Sequence, residues 1–189
     1  MVDIDEQRLN FARENGYAQV TYCVRPARPT TLQEKKALAQ ETARSIANVK
    51  WQDGQLVGQV QRVFECTGVE SCLQSSIYAA HPGGTVVIVG MGVPDHTLPI
   101  SDLSAREINL IPTWRYANAY PRAIEIALAS ITAGIINGVQ LPDVTKLITH
   151  RFSGYEFIQE AFDYAQKTKD PVGKLIIKVA VAPSTGVIP

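Results

Sequence analysis

The chain has 189 residues, 46% hydrophobic and 19% charged, with eighteen basic side chains balancing eighteen acidic ones. This composition builds a globular core and excludes a disordered chain. A formal charge of zero, with no long basic run, offers no footprint for nucleic acid or an anionic membrane surface. Three cysteines cannot close a paired disulfide framework, and no apolar run approaches a membrane span. The acidic opening MVDIDEQRLNFAREN has no signal-peptide character, so a cytoplasmic protein is expected.

Met1-Val2 is a brief apolar lead-in to Asp3. Asp5 is placed to cap a helix from about Glu6 to Asn15 that buries Leu9 and Ala12 and stops at Gly16. A strand is expected over Gln19–Val24, broken by the Arg25-Pro-Ala-Arg-Pro29 segment. Thr31 and Glu34 then have capping-box spacing and open a helix reaching Ala47. After a polar turn, the residues from Val60 to Cys66 read as a strand ending in Thr67-Gly68. A helix over 70–80 follows and is stopped by Pro82-Gly83-Gly84. The apolar run from Thr85 to Val89 reads as a strand buried on both faces, as in a parallel sheet, and ends in Gly90-Met91-Gly92. A turn around Ser101–Arg106 leads to a strand over 108–114, then to a helix over 119–133 capped by Asn118 with Pro121 in its first turn. A strand over 148–152, a helix over 156–166, a strand over 174–181 and a loose tail from Pro183 complete the chain. Strand and helix alternate at the spacing of βαβ units, which predicts an α/β fold with an open, mostly parallel sheet.

Such sheets bind ligands at the carboxyl ends of their strands. In a dinucleotide fold, a carboxylate after a strand accepts hydrogen bonds from ribose hydroxyls and repels an additional phosphate. Asp3 stands in that position with Arg8 one helical turn on, although an Asp before a helix is ordinarily only a cap. Asp5 is the better candidate for that structural role. Gly68, Gly90 and Gly92 follow strands and allow a backbone to approach a flat ligand, but any strand-to-loop turn favours glycine as well. The chain contains no G-x-G-x-x-G segment. Trp114-Arg115-Tyr116 reads equally as a ligand-stacking group and as a strand-end aromatic cluster. His81, His96 and His150 are widely separated, and Cys66 and Cys72 read as core thiols. No metal ligands and no catalytic nucleophile emerge.

Several segments together, VFECTGVESCLQSSIYAAHPGGTVVIVGMG, LPISDLSAREINLIPTWRYANAYPRAIEIA, ITHRF, EAFDYA and GKLIIKVAV, resemble the carboxyl-terminal part of zinc-containing polyol dehydrogenases. These are the sorbitol, xylitol and arabinitol dehydrogenases of the medium-chain alcohol dehydrogenase superfamily, in a fungal style. The resemblance implies NAD as cofactor, with Asp3 and Arg8 at its adenosine end and Cys66, Thr67 and Gly68 along it. It places Val89, Gly90 and Met91 near the nicotinamide, Trp114 and Arg115 at the cofactor, and Arg115 with Tyr116 in the polyol pocket. It implies oxidation of a small sugar alcohol to a ketose, with zinc polarising the alkoxide, although no zinc ligands are evident in this chain. Homo-oligomers through the 108–114 edge strand are the implied assembly.

The fold expected from this resemblance is an incomplete Rossmann-type parallel sheet. Its first strand, first helix and glycine fingerprint would be absent, and the return elements of the medium-chain fold would follow. The expected organisation is a partial NAD-binding domain over 1–147, carboxyl-terminal elements over 148–182 and a tail over 183–189. A fragment of this kind would be inactive alone, and a truncated, inactive nucleotide-binding remnant is the alternative reading.

Overall fold

The computed structural model describes residues 1–184, so the expected tail lies outside the described residues from position 185 onward. The chain divides into two compact units. Unit 1 comprises Met1–Leu9 and Gln19–Ala117, and unit 2 comprises Asn10–Ala18 and the residues from Asn118 onward.

Unit 1 opens with a strand, β1 (Val2–Asp3), and the first turns of a helix, α1 (Glu6–Glu14), whose later residues belong to unit 2. The Asp5 carboxylate accepts from the N–H groups of Gln7 (2.8 Å) and Arg8 (3.3 Å), which supplies the expected cap, and Leu9 is buried. β1 pairs in parallel with β2 (Tyr22–Cys23), Asp3 lying opposite Cys23. The incomplete sheet expected from the sequence is therefore corrected: a first strand and a first helix are formed at the amino terminus. The expectation of a fragment, in the sense of a fold without a first strand and a first helix, is corrected with it. The sequence reads Met1-Val2 only as an apolar lead-in, whereas Val2-Asp3 makes a parallel ladder with Tyr22-Cys23.

α2 (Leu32–Ala47) begins with the expected reciprocal box: the Glu34 N–H donates to Thr31 Oγ1 (3.2 Å), and the Thr31 N–H donates to the Glu34 carboxylate (3.1 Å). Ala39 and Ala43 pack on Tyr78 and Ala79 of α3 (Glu70–Ala79) and its end. The small residues let the two helices approach closely, and Lys35 is ion-paired to Glu70 at 2.9 Å.

β3 (Val60–Glu65), β4 (Ala80–Ile88) and β5 (Asn109–Pro112) form a parallel sheet in that order. β1 pairs with β2, and β3 with β4; no pairing joins β1 to β3 among the described residues. Leu73, Ala80, Val86 and Ile108 form the core of this sheet, with Val63, Ile88, Leu98, Leu103 and Leu110 around them. β4 starts earlier than its apolar run. Ala80 already pairs with Val60, and the ladder then skips to Thr85 opposite Arg62, so His81-Pro82-Gly83-Gly84 is a bulge inside the strand. Pro82 has no N–H to donate, and Gly83 takes a positive φ of 74°, so both residues suit a bulge. The expected turn at Ser101–Arg106 contains a short helix, α4 (Ile100–Ala105).

Unit 2 carries α5 (Tyr120–Ile131), a hairpin of β6 (Ile135–Ile136) and β7 (Val139–Gln140), the parallel pair β8 (Ile148–Ser153) and β9 (Lys178–Ala182), and α6 (Ile158–Ala165). Asn118 does not cap α5: it sits at φ 55°, and the cap position is Ala119. The hairpin turn is Asn137-Gly138 with φ of 52° and 78°, the left-handed pair that this dipeptide favours.

Candidate functional site

The residues expected at the cofactor and substrate lie at or just beyond the carboxyl ends of parallel strands in unit 1, except Arg8, which lies in the first turn of α1. Asp3 closes β1. Its Oδ1 accepts from the N–H of Asp5 (2.9 Å) and from Arg8 Nη1 (3.4 Å), and Arg8 stands 3.5 Å from Oδ2. Asp3 and Arg8 are thus together as expected, and the long contact to Oδ2 leaves that oxygen with acceptor capacity. Desolvation and then Glu6, Asp3 and Asp5 push the nearby Cys23 thiol upward in pKa, so this corner is acidic and the sulfur is a neutral thiol. An acidic corner accepts hydroxyls and disfavours phosphate.

Thr67 and Gly68 form a turn at the end of β3 whose organiser is Glu65. This carboxylate is only 3% exposed. It accepts from the N–H of Thr67 (2.8 Å), the N–H of Gly68 (2.9 Å) and, at very short range, the Thr67 hydroxyl. The same residue's carbonyl accepts from the N–H groups of Val89 (2.8 Å) and Gly90 (2.9 Å) at the end of β4. The two turns therefore meet backbone to backbone. A Cβ on Gly90 would fall 2.6 Å from the Thr67 carbonyl carbon, and one on Gly68 would fall 2.9 Å from the Gly92 Cα. Gly68 also has φ 71°. Glycine at 68, 90 and 92 is required by this contact, over and above the ordinary needs of a turn.

Cys66 is exposed, yet its sulfur is desolvated enough, with the Glu65 charge adding to the effect, to push the thiol upward. It is not an activated nucleophile. Val89 and Met91 are exposed beside the turns. Beyond β5, Thr113 donates its N–H (2.9 Å) and its hydroxyl (3.0 Å) to the Ile88 carbonyl, fixing the strand end from which Trp114, Arg115 and Tyr116 project. Trp114 and Tyr116 are both about 70% exposed, and the Arg115 guanidinium lies 5.3 Å from the Trp114 ring centroid. Arg115 has φ 51°.

The structure thus groups the expected residues as three local clusters at strand ends: Asp3 with Arg8, the two glycine turns, and Trp114 with Arg115. Sequence reasoning missed Glu65. Its signal was present, since a lone carboxylate at an inward position of VQRVFE, next to Thr-Gly, must find donors, and turn N–H groups are the ones within reach.

A dinucleotide fits these features: a strand-end carboxylate for hydroxyls, and glycine turns whose backbone comes close to a neighbour. Zinc does not fit. Among the described residues no three His, Cys, Asp or Glu side chains converge as a metal cage. A cavity of about 20 Å³ lined by Lys36, Gln74, Tyr78 and Pro99 has room for one water and not for a sugar alcohol. No helix among the described residues is long and apolar enough to cross a membrane.

The sequence profile of the family described as zinc-binding dehydrogenase matches residues 1–129. The chain belongs to that family. It is 38% identical over 173 residues to L-arabinitol 4-dehydrogenase of Penicillium rubens, an alignment covering 89% of this chain and 40% of that protein. It is 35% identical over 167 residues to sorbitol dehydrogenase of Mus musculus, covering 88% and 39%. The chain therefore spans about two fifths of the length of these curated relatives. Among solved structures, 2R,3R-butanediol dehydrogenase from Bacillus subtilis superposes with a TM-score of 0.62 at 20% identity over 96% of this chain and 42% of that one. An Escherichia coli alcohol dehydrogenase, rspB, solved with NADH, gives 0.60 at 18% identity over 94% and 42%. These two likenesses concern the fold. The expected resemblance, carried by segments from Val63 onward and read as that of a carboxyl-terminal portion, is corrected in extent: the family match runs over residues 1–129 and takes in β1 and α1.

Proposed function

We propose that this chain is an NAD-linked oxidoreductase of the polyol dehydrogenase type, oxidising a secondary alcohol of a small sugar alcohol to a ketone. The observation that carries the reading is the packing of the Thr67–Gly68 and Val89–Gly90 turns at the ends of adjacent parallel strands, with Asp3 closing a strand of the same unit. The names of the arabinitol and sorbitol dehydrogenase relatives support the substrate class.

NAD, when bound, would supply the hydride acceptor, taking the carbinol hydride while the hydroxyl proton passes to water and a ketone is left. The chain's own residues bind and orient. Asp3, through its under-used Oδ2, accepts from adenosine ribose hydroxyls, and Arg8 borders that end. Cys66, Thr67 and Gly68 lie along the cofactor, with Val89, Gly90 and Met91 at its nicotinamide end and Trp114 and Arg115 beside it. Arg115 and Tyr116 contact the polyol, donating to its hydroxyls. A cytoplasmic setting suits the three free thiols. β5, one of the two outer strands of the β3–β4–β5 sheet, is the edge through which copies associate.

Calorimetric titration with NAD and NADP, followed by an assay for NADH formation with arabinitol, xylitol and sorbitol, tests this reading. Tighter binding of NAD than of NADP, with turnover of at least one of these polyols, is expected. Absence of NAD binding contradicts it.

A further inference from the structure

Glu65 is a buried carboxylate that none of the roles above uses, and among the described residues no cation pairs with it. A carboxylate this buried is costly unless donors satisfy it. Its donors are all drawn from one turn: the Thr67 N–H and hydroxyl on Oε1, and the Gly68 N–H on Oε2. Its carbonyl meanwhile holds the Val89 and Gly90 N–H groups of the neighbouring turn. One residue thus fastens both glycine turns, its side chain holding one and its main chain the other. The inward N–H groups are fully used, so both turns present their opposite faces outward.

We propose that Glu65 is the positioning residue of the dinucleotide platform, fixing the Thr67–Gly68 turn against the Gly90–Gly92 turn so that the nicotinamide half of the cofactor meets a pre-set surface. This rests on the reading of the chain as NAD-binding. The chemistry requires a carboxylate. Glutamine has the same shape but only one acceptor oxygen, and its NH2 group would face an N–H of the turn, donor against donor. Glu65→Gln therefore releases one turn amide without opening a cavity. Thr67→Val keeps the side-chain shape and removes the hydroxyl, which donates to Glu65 and accepts from the Val69 N–H at 3.0 Å. Asp3 and Arg8, at the adenosine end, are untouched by either change.

The test is calorimetric titration of the full chain, wild type and both variants, with NAD and separately with AMP, which carries only the adenosine half. In Glu65→Gln the Kd for NAD is expected to rise about tenfold or more, the scale of one lost charge-assisted hydrogen bond, while the Kd for AMP is unchanged. In Thr67→Val the rise for NAD is about threefold, again without effect on AMP. An unchanged NAD affinity in Glu65→Gln overturns the proposal, as does an equal loss for NAD and AMP, which would mark a merely structural role. Should Glu65→Gln fail to fold, Thr67→Val decides by the same comparison. Wild type that binds AMP and NAD equally weakly, or binds neither, refutes the NAD-binding reading itself, an outcome distinct from failure of the Glu65 role.

Discussion

The α3–β4 region of unit 1 and the α5 region of unit 2 spend their apolar side chains in opposite ways. In the first, Ile77 and Val86 are completely buried, and the sheet residues around Val86 close a continuous core. In the second, Tyr120, Ile124, Leu128 and Ile131 recur at helical spacing but are half or more exposed. The residue of α5 that is buried is Ser130, its hydroxyl donating to the Pro142 carbonyl and accepting from the Val144 N–H. An apolar stripe states that a helix forms, because periodicity is a local property. It does not state what covers the stripe, which depends on partners elsewhere. The same holds for α6, where Ala161 is buried while Phe162 stays exposed.

That contrast can be broken or sharpened by substitution. The largest effect is expected from Ile77→Ala, which should cost about 2–5 kcal/mol in urea unfolding through lost burial and a cavity. Ile124→Ala on the exposed stripe should stay within about 0.5 kcal/mol, and an equally large loss there would mean that the α5 face is covered in solution. Glycines divide in the same way. Gly90→Ala forces a Cβ into the Thr67 backbone and should both destabilise unit 1 and weaken NAD binding more than tenfold, measured by titration. Gly138→Ala meets nothing within 4 Å and should cost only about 1–2 kcal/mol for its left-handed backbone. Smaller still, Thr31→Ala removes one arm of the α2 capping box and should cost about 1 kcal/mol, read as a shift in the urea midpoint.

The smallest expected effect concerns pH. The Thr97 N–H and then Lys35 hold the Glu70 carboxyl below its ordinary pKa, and Lys36, then Tyr78, do the same for Asp102. A depressed pKa stabilises the fold above the ordinary carboxylate range and is lost as the pH falls through the lowered value. Thermal unfolding should therefore soften on acidification below about pH 4. Glu70→Gln should flatten that dependence. These side chains are partly exposed, so added salt should reduce the effect.

Much of unit 1 was legible because its signals are local. Asp5 before a helix, Thr31 with Glu34, and glycines after apolar runs each name their own geometry. The strand-end residues were found for the same reason. Two features were not legible. The ladder of β1 with β2 pairs residues twenty positions apart through only two residues on each side, too short for a periodic signal. The β4 bulge hid because Pro82-Gly83-Gly84 reads as a terminator, whereas the pairing of Ala80 with Val60 is a tertiary fact. Glu65 is a different case: a glutamate in a strand is ordinarily solvated, although the turn N–H groups that satisfy it lie only two and three residues on. The Asn137-Gly138 hairpin was legible and was passed over, since its strands are only two residues each.

The most direct test of the central claim is an amide chemical-shift map of the labelled chain titrated with NAD. The account predicts that the perturbed amides cluster at Asp3, Thr67, Gly68, Gly90 and Arg115, at the strand ends of unit 1, while β8, β9 and α6 are silent. Perturbation confined to unit 2, or no perturbation at saturating NAD, would contradict it.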